Sequence, residues 1–243
     1  MSGWRAWERV EGGVARPPVL LTCEHASSEL PPGYTWPAED SWIVGMHWAF
    51  DLGIADMTRA LAAELGSPAT LSCFSRLLID PNRPLDSDTL VRRVADGREI
   101  VFNRELTEAE VAARVERCWR PYHETLDAMV AAWPGVDLLS MHSFTPNYEG
   151  AVRSTEIGVL FDLDEAWAER WYLGLQGAGF RVARNDPWSG KGGFMYSVQE
   201  AAVRHGRRAI ELEVRQDLTC DPAQSARIVK LIAEVARRVA AYP

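Results

Sequence analysis

Among five histidines, two fall where an α/β chain keeps its chemistry. His25 follows the apolar run PVLLT, and His142 follows GVDLLS. Each run reads as a buried strand, and in open α/β sheets ligands gather beyond the carboxyl ends of strands. A lone histidine at a strand end is usually a hydrogen-bonded loop residue. Two at equivalent positions can instead meet at one ion, since neutral imidazole is the commonest metal ligand. A third ligand would be a carboxylate or another histidine. Asp51, within HWAFDLG, is the first choice, and Glu24, next to His25, is the alternative. Neighbours on a regular strand point to opposite faces, so Glu24 and His25 can share an ion only where the strand ends. His47 and Asp51 lie four apart on a helix expected to begin near 41 or 47 and run to 65. There they would act as ligand and supporting partner.

The run RAIELEVR at 208–215 carries the next signal. Period-2 alternation puts Glu211, Glu213 and Arg215 on one face and Ile210, Leu212 and Val214 on the other. A late strand in such a sheet is normally apolar on both faces, so a polar face means a lined pocket or an edge strand. Glu213 is the candidate general base for amide hydrolysis, and Arg215 a candidate oxyanion stabiliser. In SRLLIDPNR at 75–83, Arg76 and Arg83 flank Asp80 and Asn82. Arginine's planar fork suits bidentate binding of a substrate carboxylate. Asp80 would orient one arginine and Asn82 would donate an amide hydrogen bond. The competing reading is a solvated salt-bridge network. The segment SGKGG at 189–193 lacks the phosphate-loop pattern, and no GxSxG elbow, HExxH or HxxE occurs.

These residues need a scaffold, and the sequence supplies an alternating one. Strands are expected over 18–22, 69–74 with a continuation at 77–79, 135–140, 156–161, 180–183 and 208–214. Helices are expected over 107–132, where Thr107 and Glu110 form a capping box, and over 165–176, 193–205 and 223–241. The pattern predicts a three-layer α/β fold, a mixed but mostly parallel sheet with helices on both faces, in a single domain over 1–243. The chain has 243 residues, 47% of them hydrophobic, and a net charge of -8. That charge argues against nucleic acid as a partner, although Arg76, Arg83, Arg92 and Arg93 can make a local basic pocket. Four cysteines without CxxC spacing fit a reducing compartment. No signal-peptide core or membrane-length apolar run is present, so a cytoplasmic protein without membrane contact is expected.

In order along the chain, CEHASSELPPGY, DLGIADMTRALAAELG, FSRLLIDPNRP, MHSFTP, EIGVLF, NDPWSG and IELEVRQDL resemble the N-formylglutamate amidohydrolase family. The resemblance implies a hydrolase of the zinc-exopeptidase kind, similar in architecture to carboxypeptidases and aspartoacylases. It implies one zinc ion held at His25, His142 and an acidic ligand. It also implies Glu213 as the late-strand glutamate, and Arg76, Asn82 and Arg83 as the substrate-binding stretch. The segment around His25 departs from the Pro-His-Ser-Gly pattern of formylglutamate deformylases. The expected activity is hydrolysis of a small-molecule N-formyl or N-acyl amino acid by a zinc-activated water. Its rivals are a peptide- or peptidoglycan-directed zinc carboxypeptidase or amidase, and a non-catalytic small-molecule binding protein on the same scaffold.

Overall fold

The computed structural model describes residues 3–148 and 150–241, so the extreme ends of the 1–243 span lie outside the described residues. Seven strands form one sheet: β1 (Trp7–Val10), β2 (Leu20–Cys23), β3 (Ala69–Ser72), β4 (Leu138–Phe144), β5 (Ile157–Leu160), β6 (Val182–Arg184) and β7 (Ala209–Arg215). Their order is β1-β3-β2-β4-β7-β5-β6. The central strands β3, β2, β4 and β7 are parallel. β1 runs antiparallel on one edge, and the parallel pair β5 and β6 runs antiparallel to β7 on the other.

Strand periodicity separates two cores. Leu21 and Cys23 of β2, Leu139 and Met141 of β4, and Ile210, Leu212 and Val214 of β7 face one layer. That layer contains α1 (Ile54–Leu65), α4 (Glu165–Leu175) and α7 (Pro222–Ala240). Leu20, Leu138 and Ala209 face the opposite layer, with α3 (Arg120–Ala132) and α5 (Tyr196–His205). The expected three-layer, mostly parallel arrangement is thus what the chain adopts. Among the described residues, no helix is long and apolar enough to cross a membrane.

Three local expectations need correction, and one strand was not expected at all. The segment 41–53 forms turns, and helix begins only at Ile54, because Gly53 takes a left-handed φ of 75°. His47 and Asp51 therefore share no helical face. Instead the Asp51 amide donates to the His25 carbonyl at 2.9 Å, tying the turn to the end of β2. Residues 77–79 are no strand; they run through a buried turn, with Leu77 packed beside Ile43 and Ala49. β1 went unread because its half-buried WERV is an edge strand guarded by charge, with Glu8 paired to Arg59 at 2.7 Å. The long helix is interrupted: α2 (Glu108–Arg114) passes into a π turn at Val115–Trp119 before α3. Pro121 has no N–H to return to the preceding turn, which accounts for the wider winding there.

This irregular helical layer, with the turn Val101–Asn103 that precedes it, fastens the loop 75–92, whose carbonyls have no sheet ladder to satisfy them. Asn103 Nδ2 donates to the carbonyls of Leu77 (2.8 Å) and Arg92 (2.7 Å). Arg114 donates to that of Leu78 (2.8 Å), and Trp119 Nε1 to that of Arg83 (3.0 Å). A buried carbonyl left without a donor costs about 1–3 kcal/mol, so each bond holds a wall of the site in place.

Candidate metal and catalytic site

The carboxyl ends of β2, β4 and β7 open into a cleft of about 530 Å³. On the face opposite the apolar one, β4 presents Ser140 and His142, and β7 presents Glu211 and Glu213. Register sets Glu211 beside Ser140 and Glu213 beside His142. Glu24 follows β2, which pairs Thr22 with Ser140, so all three strands direct polar groups to one place.

His25 and His142 meet, with ring centroids 4.7 Å apart. His142 Nδ1 is 2.9 Å from Asp51 Oδ2, and His25 Nδ1 is 3.6 Å from the same oxygen. Their other nitrogens point at different carboxylates. His142 Nε2 lies 2.9 Å from Glu24 Oε2, and His25 Nε2 lies 2.8 Å from Asp80 Oδ1. Two Nδ1 atoms thus converge on Asp51, while each Nε2 is occupied from behind. His25 Nδ1 is buried and has no hydrogen-bond partner. A buried nitrogen left bare beside a carboxylate and a second imidazole is the donor set a divalent cation completes, so the residues fit a metal.

The charge balance points the same way. Glu24, Asp51, Asp80, Glu211 and Glu213 are all buried, against Arg76 and the two imidazoles. Arg76 bridges the acids, with Nη1 3.4 Å from Asp51 and Nη2 3.3 Å from Asp80. Burial would raise the Glu24 carboxyl, but hydrogen bonding and charge from His142, with the Ser140 hydroxyl, bring it down to about 2. Asp51 and Asp80 are also held low: burial is the largest single influence and would raise both, but the charge and hydrogen bonding of His25, joined by His142 at Asp51 and by Arg76 and Arg83 at Asp80, together outweigh it. Burial alone would lower His142, yet Glu211, Asp51 and Glu24 push it well above its usual value. Glu211 and Glu213 move the other way. Burial raises Glu211 to about 7, and burial with the adjacent Glu211 charge raises Glu213 well above the carboxylate range. Glu213 Oε2 is buried without a hydrogen-bond partner and belongs to a residue lining the cleft.

Not every sequence candidate reaches this centre in the role expected. Glu24 stands behind His142 rather than beside the bare nitrogen, and receives hydrogen bonds from Tyr122 Oη (3.0 Å) and Ser140 Oγ (2.6 Å). Asp80 accepts from Arg76 Nη2 at 3.3 Å, but its shortest side-chain contact is to His25. Asn82 borders the cleft with its amide already committed. Nδ2 donates to the Phe194 carbonyl (2.7 Å), and Oδ1 accepts from the Ser197 amide (3.1 Å). Arg83 lines the cleft, its Nε donating to Thr89 Oγ1 and its Nη1 to the Asn82 carbonyl. Arg215 is turned aside from the cleft. It pairs with Asp217 at 2.7 Å and reaches Glu156 at 3.4 Å, because β7 ends there and α6 (Gln216–Thr219) begins.

Sequence reasoning missed the support of each imidazole by its own carboxylate, a pattern that generally fixes ring orientation at metal sites. It also missed the aromatic rim of Trp48, Tyr148, Trp188 and Phe194. Ten tryptophans and the string NDPWSG were the available signals.

Fold and site together define a class: an α/β chain with a candidate metal centre at the carboxyl edge of a mixed sheet. The sequence matches the N-formylglutamate amidohydrolase family over residues 17–220, and the chain belongs to that family. Among solved structures it is similar to the gene product Atu2144 from Agrobacterium tumefaciens. That match has 29% identity and a TM-score of 0.88, covering 97% of this chain and 95% of the other. It also shares its fold with N-formylglutamate amidohydrolase from Ralstonia eutropha JMP134. There the identity is 19% and the TM-score 0.76, with 98% of each chain covered. No curated protein sequence matches significantly.

Proposed function

We propose that this cleft is a zinc-dependent amidohydrolase site acting on a small-molecule N-acyl amino acid. One observation carries the reading: both imidazoles aim Nδ1 at Asp51 while a separate carboxylate backs each Nε2. His25, His142 and Asp51 would hold the ion. A bound zinc would acidify a water and polarise the amide carbonyl.

The rest of the chemistry belongs to the chain. Glu24 and Asp80 keep the two rings in the tautomer that leaves Nδ1 free to coordinate. Glu213 takes the proton of the attacking water at Oε2 and delivers it to the amide nitrogen as that nitrogen leaves. Burial and Glu211 raise its carboxyl, the direction that makes a carboxylate a stronger base, and a neighbouring cation moves it back towards ionisation. Arg83 has no carboxylate at ion-pairing distance among the described residues, which leaves its charge for the substrate carboxylate. Arg76 is held by Asp51 and Asp80 and steadies the acidic cluster.

Metal analysis of the purified chain is expected to find about one zinc per molecule. A chelator should abolish amine release from N-acyl amino acids, and zinc should restore it. Activity that persists after complete metal removal would overturn the reading. Absence of metal, with ligand binding that survives both His25→Ala and His142→Ala, would instead favour a non-catalytic binding protein.

A further inference from the structure

The outer half of the cleft is built unlike the inner half. Trp48, Tyr148, Trp188 and Phe194 form a continuous arc. Ring centroids are 5.9 Å apart from Trp48 to Tyr148, 5.5 Å from Tyr148 to Trp188, and 5.8 Å from Trp188 to Phe194. All four line the cleft, and all stay partly open to solvent. Three separate segments supply them: the turns at 41–53, the hairpin Asn147–Tyr148 with Ala151–Val152, and the loop 186–195.

Guanidinium groups stack on this arc. Arg92 lies 5.4 Å from the Trp48 ring, and Arg83 lies 5.1 Å from the Phe194 ring. Arg153 lies 4.6 Å from Tyr148 and 4.5 Å from Trp188. Cation contacts brace the rings around the opening, and Trp188 and Phe194 also stack on each other at an interplanar angle of 24°. A rim of this kind suits a flat apolar group attached to an anion.

Resting on the amidohydrolase reading, we propose that the acyl half of the substrate is a bulky planar group of the arylacetyl or aroyl class, lodged against this rim. Three features carry it. A formyl group is one carbon and has no flat face to stack on a ring. A cleft of about 530 Å³ is in the range that holds ligands of drug size, well beyond a formyl amino acid. Arg83 stands at the Phe194 end of the arc, so a substrate carboxylate gripped there leaves the acyl group to run along Trp188, Tyr148 and Trp48.

The test holds the amino acid constant and varies the acyl group. For the zinc-loaded chain, kcat/KM for N-phenylacetylglutamate should exceed that for N-formylglutamate by about tenfold, as burial of a ring against apolar surface implies. Trp188→Ala and Tyr148→Ala should each cut that ratio by about fivefold, mainly through KM, and Trp188→Phe should restore most of it. Circular dichroism and thermal melting identify any variant that fails to fold. The same ligands titrated calorimetrically into the zinc-loaded Glu213→Gln chain read the subsite without turnover. If no N-acyl amino acid is hydrolysed, the amidohydrolase reading fails, and tighter binding of the phenylacetyl compound still supports the aryl subsite. Equal or better use of the formyl compound, or an unchanged ratio in folded variants, overturns the proposal. A preference for N-formylphenylalanine over both would overturn it too, by placing the bulky group on the amine half.

Discussion

The two faces of strands β4 and β7 are made from alternate residues of the same short segments, and they do opposite things. On one face Leu139, Met141, Ile210, Leu212 and Val214 are sealed against α1, α4 and α7. On the other, Ser140, His142, Glu211 and Glu213 are equally buried but meet each other and the acids of neighbouring strand ends. The apolar face is held by nondirectional burial and close packing, with no single partner that must be met. The polar face is held by specific pairings, in which a buried group left alone is costly. Stability should therefore concentrate on one side of the sheet and chemistry on the other.

The largest expected effect tests the polar face. Glu213→Gln should keep bound zinc and lower kcat by about 10²–10⁴, measured on whichever N-acyl amino acid the chain hydrolyses. Next comes the apolar face. Leu212→Ala should lower stability by about 2–5 kcal/mol in denaturant unfolding and leave the zinc stoichiometry of the folded protein unchanged. If Leu212→Ala stripped the metal as thoroughly as it destabilised the fold, the two faces would not be separable.

A smaller effect should come from the carboxylates behind the rings. Asp80→Asn and Glu24→Gln should each weaken zinc affinity by about 10–100-fold, read by competition with a chromogenic chelator. The mildest effect concerns acid. Glu24 sits at about 2 in the fold against a reference of 4.5. A depressed acid stabilises the fold above its unfolded value and loses that contribution as pH falls towards the folded one. The metal-free chain should thus lose stability progressively between about pH 4.5 and pH 2, and Glu24→Gln should flatten that part of the curve. A variant curve parallel to the wild type would show that Glu24 is not held by His142.

The parts of the site legible in the sequence are those governed by strand periodicity. His25 ends an apolar run, His142 lies within β4, two residues past the expected strand end, and Glu211 and Glu213 break the apolar pattern of a late strand, so their shared face follows from strand alternation. Arg215 obeys the same alternation but lies where the strand gives way to a short helix, and its partners Asp217 and Glu156 draw it aside. Asp51 could be named as an acid near His25, but the turn that delivers it is set by Gly53 and by a backbone bond to residue 25, which no helical period describes. The support of His25 by Asp80 and of His142 by Glu24 spans 55 and 118 residues and exists only once the strands are paired. The aromatic rim is assembled from three distant segments, so the tryptophan count and NDPWSG could hint at it but not place it.

Gly158 brings these scales together. It is the register neighbour of Glu213 on β5, and a side chain built there would land on the Asp186 carbonyl oxygen. The bare α-carbon lets the backbone just before Trp188 settle directly over the strand. An added methyl would force that segment off the strand, and with it one pillar of the entrance. The gate's height is thus written into a position that performs no chemistry.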